Sequence, residues 1–449
     1  MTRAHWLLLL TVSGVLLWDG RALASAFALR EQSVTAQGNA FAGATAAAED
    51  PSYMFFNPAA LARLEGHQVM TTATLIRPVF HFDVKGASTA GGTPIGGGDG
   101  GGDVADDVVL PALYAMVDLG DGLGVVDNLK IGLGINVPFG LETNYENGWA
   151  GRYHALQSKL RTININPVVA FEVVDGLSFG AGLQAQYADA ELSNAIDFGT
   201  IGQAFGGTPT QQDGKGRVEG DDWAYGFTLG VLYEPWRGTR FGVGYRSSLN
   251  HELDGDARFR FDQAGVGQAV STATGMFTPT GAEANLKTPE TVSFGAYHDI
   301  TDQWAVMGEA AWTRWSRFDE LRIQFANPNQ PDSITAEEWN DTWFFALGAT
   351  YRPSEPWALR FGVAYDQSPI PEDKRTPRIP DDNRYWISIG ASYQPNDAFT
   401  FGFGYTHIFV DDASINLLAT DHGNSARGNL SGQTESSIDL LGVQVQYVF

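Results

Sequence analysis

The chain lacks cysteine altogether, and it carries only 28 Lys and Arg against 52 Asp and Glu in 449 residues. Without Cys there are no disulfides, thiolate zinc sites, Fe–S clusters or Cys nucleophiles. The net charge of −24 excludes a broad phosphate-binding surface, because nucleic acid demands a basic footprint; no nucleic-acid partner is expected. His is scarce too, at eight residues, and none has metal-ligand spacing. His81, His154, His251 and His298 each stand alone, so neither a metal nor a cofactor is expected. Ser293 with His298, or Ser414 with His407, would have to be forced into a hydrolytic pair, so the chain does not read as an enzyme. The Gly96–Asp103 run has neither the Lys of a P-loop nor a calcium-binding repeat, and reads as a loop tip. Past residue 24 no apolar run approaches the ~18 residues of a helical membrane span.

Gly is plentiful at 53, and aromatics make up 12%. That pairing suits many strands and turns. Arg3 and His5 precede an apolar run, Trp6 to Trp18, and Ala22-Leu23-Ala24 follows. This is the layout of a secretory signal peptide over 1–24, with Ser25 as the first mature residue.

Beyond residue 66, alternation with period 2 dominates. Phe399, Phe401, Phe403 and Tyr405 alternate with Thr400, Gly402 and Gly404. Phe241, Val243 and Tyr245 alternate with Gly242 and Gly244, and Leu359, Phe361, Val363 and Tyr365 with Arg360, Gly362 and Ala364. The non-apolar faces are rich in Gly and poor in Lys, unlike the charged outer face of a soluble sandwich. Lipid outside and a lumen inside explain the pattern, and only a closed barrel lets strands cross a bilayer. Trp223, Trp304, Trp312, Trp343, Trp357, Tyr393 and Tyr405 fall where interfacial girdles belong. Short connections such as 174–176 and 235–238 alternate with long ones such as 86–104, 194–220, 262–284, 326–337 and 367–383. The expected fold is therefore all-β and transmembrane: an antiparallel outer-membrane barrel of about fourteen strands. They are placed near 67–85, 105–118, 129–142, 155–173, 177–193, 221–234, 239–261, 285–299, 302–325, 338–352, 357–366, 384–394, 398–410 and 433–449.

Residues 25–66 do not alternate. They are rich in Ala and Gly, and Asn57-Pro58-Ala59 suits a capped helical turn. A partly helical hatch inside the lumen is expected, with a loose periplasmic extension as the alternative. The barrel then occupies 67–449. Pro138 and Gly140 lie within an otherwise good strand. Pro cannot donate to the ladder, so the strand either bends there and opens a lateral gap around Pro138, Phe139 and Gly140, or simply ends. Ile196, Phe198, Ile201 and Phe205, with Met276 and Phe277, put apolar surface on long loops. They form a groove for a hydrophobic ligand or a small loop core. Arg314, Arg317 and Arg322 fall in one strand. Counted from Gln324, Arg322 faces the lumen, where it meets a carboxylate headgroup or pairs with Asp319 or Glu320. The doublets Asp106-Asp107, Asp221-Asp222, Asp381-Asp382 and Asp411-Asp412 are either solvated rim charge or contacts, through divalent ions, with lipopolysaccharide.

Taken together, these segments resemble the FadL-type outer-membrane transporters of long-chain fatty acids and hydrocarbons (OmpP1/FadL/TodX). The resemblance runs through Ser25-Ala-Phe27, Gly38-Asn-Ala, Ala48-Glu-Asp-Pro51, Asn57-Pro-Ala59, Pro138-Phe-Gly-Leu141, Trp149-Ala-Gly-Arg-Tyr153, Trp312-x-x-Trp315-x-x-Phe318 and Asp366-x-Ser-Pro369 to Arg384. The final Phe449 is similar to the signal read by the barrel-assembly machinery. The resemblance implies passive uptake of long-chain fatty acids or similar hydrophobic molecules, without cofactor, by a monomer in outer-membrane lipid. It implies capture at the long loops, a tighter site beside Phe27, contact of Arg322 with an acidic head, and lateral exit at Pro138–Gly140. Asp189 and Glu191 stand where relatives can carry basic residues, which leaves room for neutral aromatic or aliphatic hydrocarbons. A structural barrel without transport is the alternative from another class.

Overall fold

The computed structural model describes residues 26–100, 102–120, 127–421 and 423–449. The signal peptide over 1–24 and the start at Ser25 lie outside them. Fourteen antiparallel strands form the wall. They are β1 (Gln68–Ser88), β2 (Val108–Asp118), β3 (Asp127–Asn136, resumed at Gly140–Asn144), β4 (Gln157–Val174), β5 (Leu177–Asp197), β6 (Asp213–Trp236), β7 (Thr239–Arg246 and Leu249–Arg260), β8 (Thr280–Thr288 and Thr291–Asp299), β9 (Trp304–Thr313 and Glu320–Phe325), β10 (Ser333–Ala336 and Thr342–Ser354), β11 (Trp357–Asp366), β12 (Arg384–Asn396), β13 (Phe399–Val410 and Ala413–Leu417) and β14 (Asn429–Val448). Each pairs with its neighbour in sequence, and β1 closes the ring on β14 from Gln68↔Val448 to Ser88↔Asn429. Closure removes the free edge that lipid cannot satisfy.

The pleat sorts side chains as the alternation requires. Leu347, Val363 and Phe403 point out and are exposed, whereas Ala346, Ala364 and Thr406 point in and are buried. No described helix is long and apolar enough to cross a membrane. Six strands are interrupted rather than straight. Several boundaries differ from the sequence reading: β8 begins at Thr280 rather than 285 and β13 runs on to Leu417 rather than 410, and two further shifts have a visible cause. β6 begins at Asp213 rather than 221, because Asp213, Lys215, Arg217 and Glu219 face out while the inward face is Gly214, Gly216, Val218 and Gly220, so no run of large apolar residues marks the alternation. β10 starts at Ser333, with a break over 337–341, where Trp339 turns inward.

Residues 26–64 lie inside the ring. Ser33 caps the helix Val34–Gly38, Asp50 caps the 3-10 turn Pro51–Phe55, and Asn57 caps Pro58–Arg63. Side-chain amides then reach the wall: Asn39 Nδ2 donates to Ala349 O and Phe361 O, and Asn57 Nδ2 to Thr45 O and Val231 O. Glu49 pairs with Arg360 at 2.5 Å, Arg63 with Glu234 at 2.7 Å, and Thr45 donates to Glu309. Wall glycines permit this proximity. A Cβ on Gly362 would lie 2.1 Å from the Asn39 carbonyl, and one on Gly242 2.0 Å from Thr45 O, so any side chain there would displace the inner segment.

Candidate functional site

The site begins at the break in β3. Val108–Ala112 of β2 pair with β1 on one side, but the β2–β3 ladder runs only from Leu113 to Asp118. Above it, Gly140–Asn144 pair with β4 alone. The wall between β2 and β3 is therefore unladdered at this height. The backbone of the break is satisfied from inside instead. Leu29 N donates to Pro138 O (2.8 Å), Gly140 N to Phe27 O (2.9 Å), and Gln32 Nε2 to Val137 O (2.7 Å). Thr162 Oγ1 serves Phe139, accepting from its N–H and donating to its carbonyl. Ala28 and Phe139 form an antiparallel bridge. The inner segment thus supplies the strand that the break lacks.

Phe27 carries this bridge into an aromatic cluster. Its ring centroid lies 4.8 Å from that of Trp315, 5.6 Å from those of Phe318 and Trp339, and 5.8 Å from that of Phe139. All five are buried, and the edge-to-face pairs add to their area burial. Residues 27–29 separate two spaces. On the loop side lies a mainly apolar cleft of about 820 Å³, part of it open, bounded by Phe27, Leu160, Leu192, Leu253, Leu286 and Ile323. On the other side lies a more polar chamber of about 860 Å³, also open in part, with Glu31, Arg246, Thr291, Ser293, Phe344 and Trp386 in its lining.

Arg378 also lines the cleft. Its guanidinium donates to Gln157 O (3.2 Å), Ser158 Oγ (3.0 Å) and Ser193 O (3.4 Å), and to no carboxylate among the described residues. Burial, and then the charge of Arg427, lower its pKa to about 9, with Glu337 in the same lining opposing the shift, so it remains a cation at neutral pH. A buried cation whose hydrogen-bond partners are all neutral is costly, and a ligand carboxylate would relieve it.

The sequence candidates are scattered. Phe198 and Phe277 stack edge to face at 5.1 Å with Phe259, Phe261, Val266 and Val270 around them, and Ile196 packs at the margin. These form a core between two loops, while Phe205 stays 47% exposed beside them. Asn57, Pro58 and Ala59 sit against the wall glycines Gly180 and Gly230, away from the cleft. Arg322 requires a correction: it does not face the lumen. Its neighbours Leu321 and Ile323 line the cleft, so alternation turns Arg322 outward, where it pairs with Glu320 (2.8 Å) and Asp332 (3.1 Å). Odd-numbered residues face in on both sides of the break at 314–319, from Ala305 to Ala311 and again at Leu321 and Ile323, so the error lies in taking the polar Gln324 as lumenal. Arg314 and Arg317 lie within that break and pair with Glu290. Outward-facing Asp189 and Glu191 pair with Arg161 and Arg217, not with a lumenal ligand. Arg378 escaped sequence reasoning; its signal was a single Arg held between Pro377 and Pro380 beside Ile379.

Glu31 makes the bridge sensitive to pH. Its Oε2 is buried without a hydrogen-bond partner. Burial raises its pKa from 4.5 to about 7; Arg384 and Arg30 oppose the shift and Asp366 adds to it. The packed segment thus favours the neutral acid. This contribution is complete below pH 4.5 and is lost as the pH rises through about 7. Amide protection factors at Phe27–Leu29 are expected to fall between pH 5 and 8, and to stay level in Glu31→Gln. Level protection in the native protein would rule out this linkage.

Similarity to known proteins agrees with this arrangement. The family model for outer membrane protein transport proteins (OMPP1/FadL/TodX) matches residues 15–449. An outer-membrane protein of Neisseria meningitidis is 32% identical over 450 residues, covering 95% of each chain. A long-chain fatty acid transport protein of Escherichia coli is 28% identical over 451 residues, covering 97% of each. The crystal structure of a Pseudomonas aeruginosa FadL homologue superposes with a TM-score of 0.86 at 25% identity, over 94% of this chain and 99% of the other. The chain belongs to the OMPP1/FadL/TodX family and is an outer-membrane β-barrel that transports hydrophobic substrates, not an enzyme.

Proposed function

We propose that this chain takes up long-chain fatty acids or closely related acidic amphiphiles and releases them sideways into the membrane. One observation carries the headgroup assignment: Arg378 is a buried cation with no carboxylate hydrogen-bonded to it among the described residues, set in a mainly apolar cleft whose lining also includes Lys159, Glu219, Glu283 and Glu337. The Escherichia coli relative's name, long-chain fatty acid transport protein, supports the same choice. The ligand is captured near Phe205 and the Phe198–Phe277 loops, and settles with its tail in the cleft and its head at Arg378. Residues 25–66 act as the hatch once the signal peptide over 1–24 is removed. When residues 27–29 leave Pro138–Gly140, the tail moves out between β2 and β3.

Lateral release fits the chemistry of the lumen. Beneath the cleft the inner segment is tied by Glu49–Arg360 and Arg63–Glu234. An acyl chain gains ~0.8 kcal/mol for each buried CH₂ and would lose that gain while crossing such a layer. A second reading, neutral hydrocarbons, draws on the apolar lining of the cleft and on Arg322 facing away from it. Binding of oleate and of toluene to Arg378→Leu separates the two. Loss of oleate alone supports the acid, and unchanged oleate binding favours the hydrocarbon.

A further inference from the structure

The wall has another unladdered seam. Between β8 and β9, pairing runs Ala282↔Phe325 to Ala284↔Ile323 and resumes only at Thr291↔Thr313. Residues 285–290 therefore face 314–322 without register. Asn285–Thr288 pair with β7 on their other side, and Glu320–Ile323 with β10. Among the described residues one backbone hydrogen bond outside the ladders joins the two edges here, Arg314 N to Glu290 O at 2.9 Å. A bare gap of this kind is not tolerated in hydrocarbon, so side chains fill it.

From inside, Leu286, Trp315 and Phe318 fill the seam, all buried in the cluster that holds Phe27. From outside, Glu290 binds Arg314 at 3.1 Å and Arg317 at 2.5 Å, and both arginines remain partly exposed. The paired Trp312 and Trp343 lie just below, on the outward face. Such aromatics mark the membrane–water boundary, so the ion pairs sit at headgroup height. Leu286 and Phe318 also line the apolar cleft. A single ring, Phe27, thus backs both unladdered places, through Phe139 at one and through Trp315 and Phe318 at the other.

We propose that the β8–β9 seam is a second lateral portal, through which a single-chain amphiphile with an acidic head passes between the outer-leaflet interface and the apolar cleft. The head exchanges with Glu290 for Arg314 and Arg317, as one carboxylate replaces another on two guanidinium groups. The tail slides between Leu286 and Phe318. Loading from the membrane plane spares the tail from water. This inference rests on the reading that the cleft holds such a ligand behind Phe27.

A disulfide tests it. The β8–β9 register extrapolates to Glu290 opposite Arg314, and hydrogen-bonded antiparallel pairs hold Cα atoms ~5.5 Å apart, within disulfide reach. The native chain has no Cys, so Glu290→Cys with Arg314→Cys forms a unique tie. The protein is reconstituted in phosphatidylcholine vesicles and given an anthroyloxy-labelled long-chain fatty acid from the bilayer. The oxidised protein is expected to lose the fast phase of loading, and dithiothreitol to restore it, which excludes misfolding. Glu290→Ala with Arg314→Ala lacks the ion pair and the tie, and is expected to load at least as fast as native. Equal rates in oxidised and reduced protein, alongside a block by an Ala28→Cys/Phe139→Cys tie, would overturn the portal alone. Equal rates with both ties would overturn the Phe27 barrier, and the portal with it.

Discussion

Oxidising a variant that carries Ala28→Cys and Phe139→Cys is expected to stop uptake, and reduction to restore it. The two residues form an antiparallel bridge flanked by Leu29 N to Pro138 O and Gly140 N to Phe27 O. Residues so placed form a non-hydrogen-bonded pair with Cα atoms ~4.5 Å apart, which a disulfide can span. Bonding them fixes the inner segment to the break in β3 and keeps Phe27 among Trp315, Phe318 and Trp339. The cleft then has no route past residue 27. Uptake should fall to the level of cells without the protein, while the barrel stays folded. Undiminished uptake in fully oxidised protein would mean that the bridge does not have to open.

Removing the charge of Arg378 is expected to weaken acid binding about ten- to a hundredfold, since hydrogen bonds to charged groups contribute ~1.5–3 kcal/mol and each ~1.4 kcal/mol is tenfold. Arg378→Leu keeps apolar bulk and abolishes a buried cation whose guanidinium donates to Gln157 O, Ser158 Oγ and Ser193 O. Loss of these hydrogen bonds is offset by removal of a costly buried charge, so the melting transition is expected to move little. Toluene, which has no head for Arg378 to hold, should bind as before. Equal loss of oleate and toluene would assign Arg378 a role in packing rather than recognition.

The barrel could be read from sequence because a lipid-facing wall writes itself as alternation. Phe399 to Tyr405 and Leu359 to Tyr365 show it directly, and fourteen strands result. Alternation fades where charged residues face out and mostly glycine faces in, which hid the start of β6 at Asp213–Asp222. It also misleads where a polar residue is assumed to face the lumen. Taking Gln324 as lumenal turned Arg322 inward, whereas the odd-numbered Leu321 and Ile323 face in and Arg322 faces out toward Glu320 and Asp332. Arg378 left no periodic trace. It comes from the loop at 367–383, and only folding brings it beside Ser158 of β4. Pro138 carried a backbone signal, because a residue without an N–H cannot serve a ladder. Its carbonyl is satisfied by Leu29 N and that of Val137 before it by Gln32 Nε2, contacts more than a hundred positions apart.

The central claim, that an acidic long-chain amphiphile is the cargo, is tested most directly by uptake of labelled oleate. Cells lacking their own transporter are compared with and without this chain, in competition with unlabelled palmitate or toluene. The account predicts uptake that depends on the chain, is blocked by palmitate and is insensitive to toluene. No oleate uptake, with folded protein present in the outer membrane, would contradict it and point to a neutral hydrocarbon.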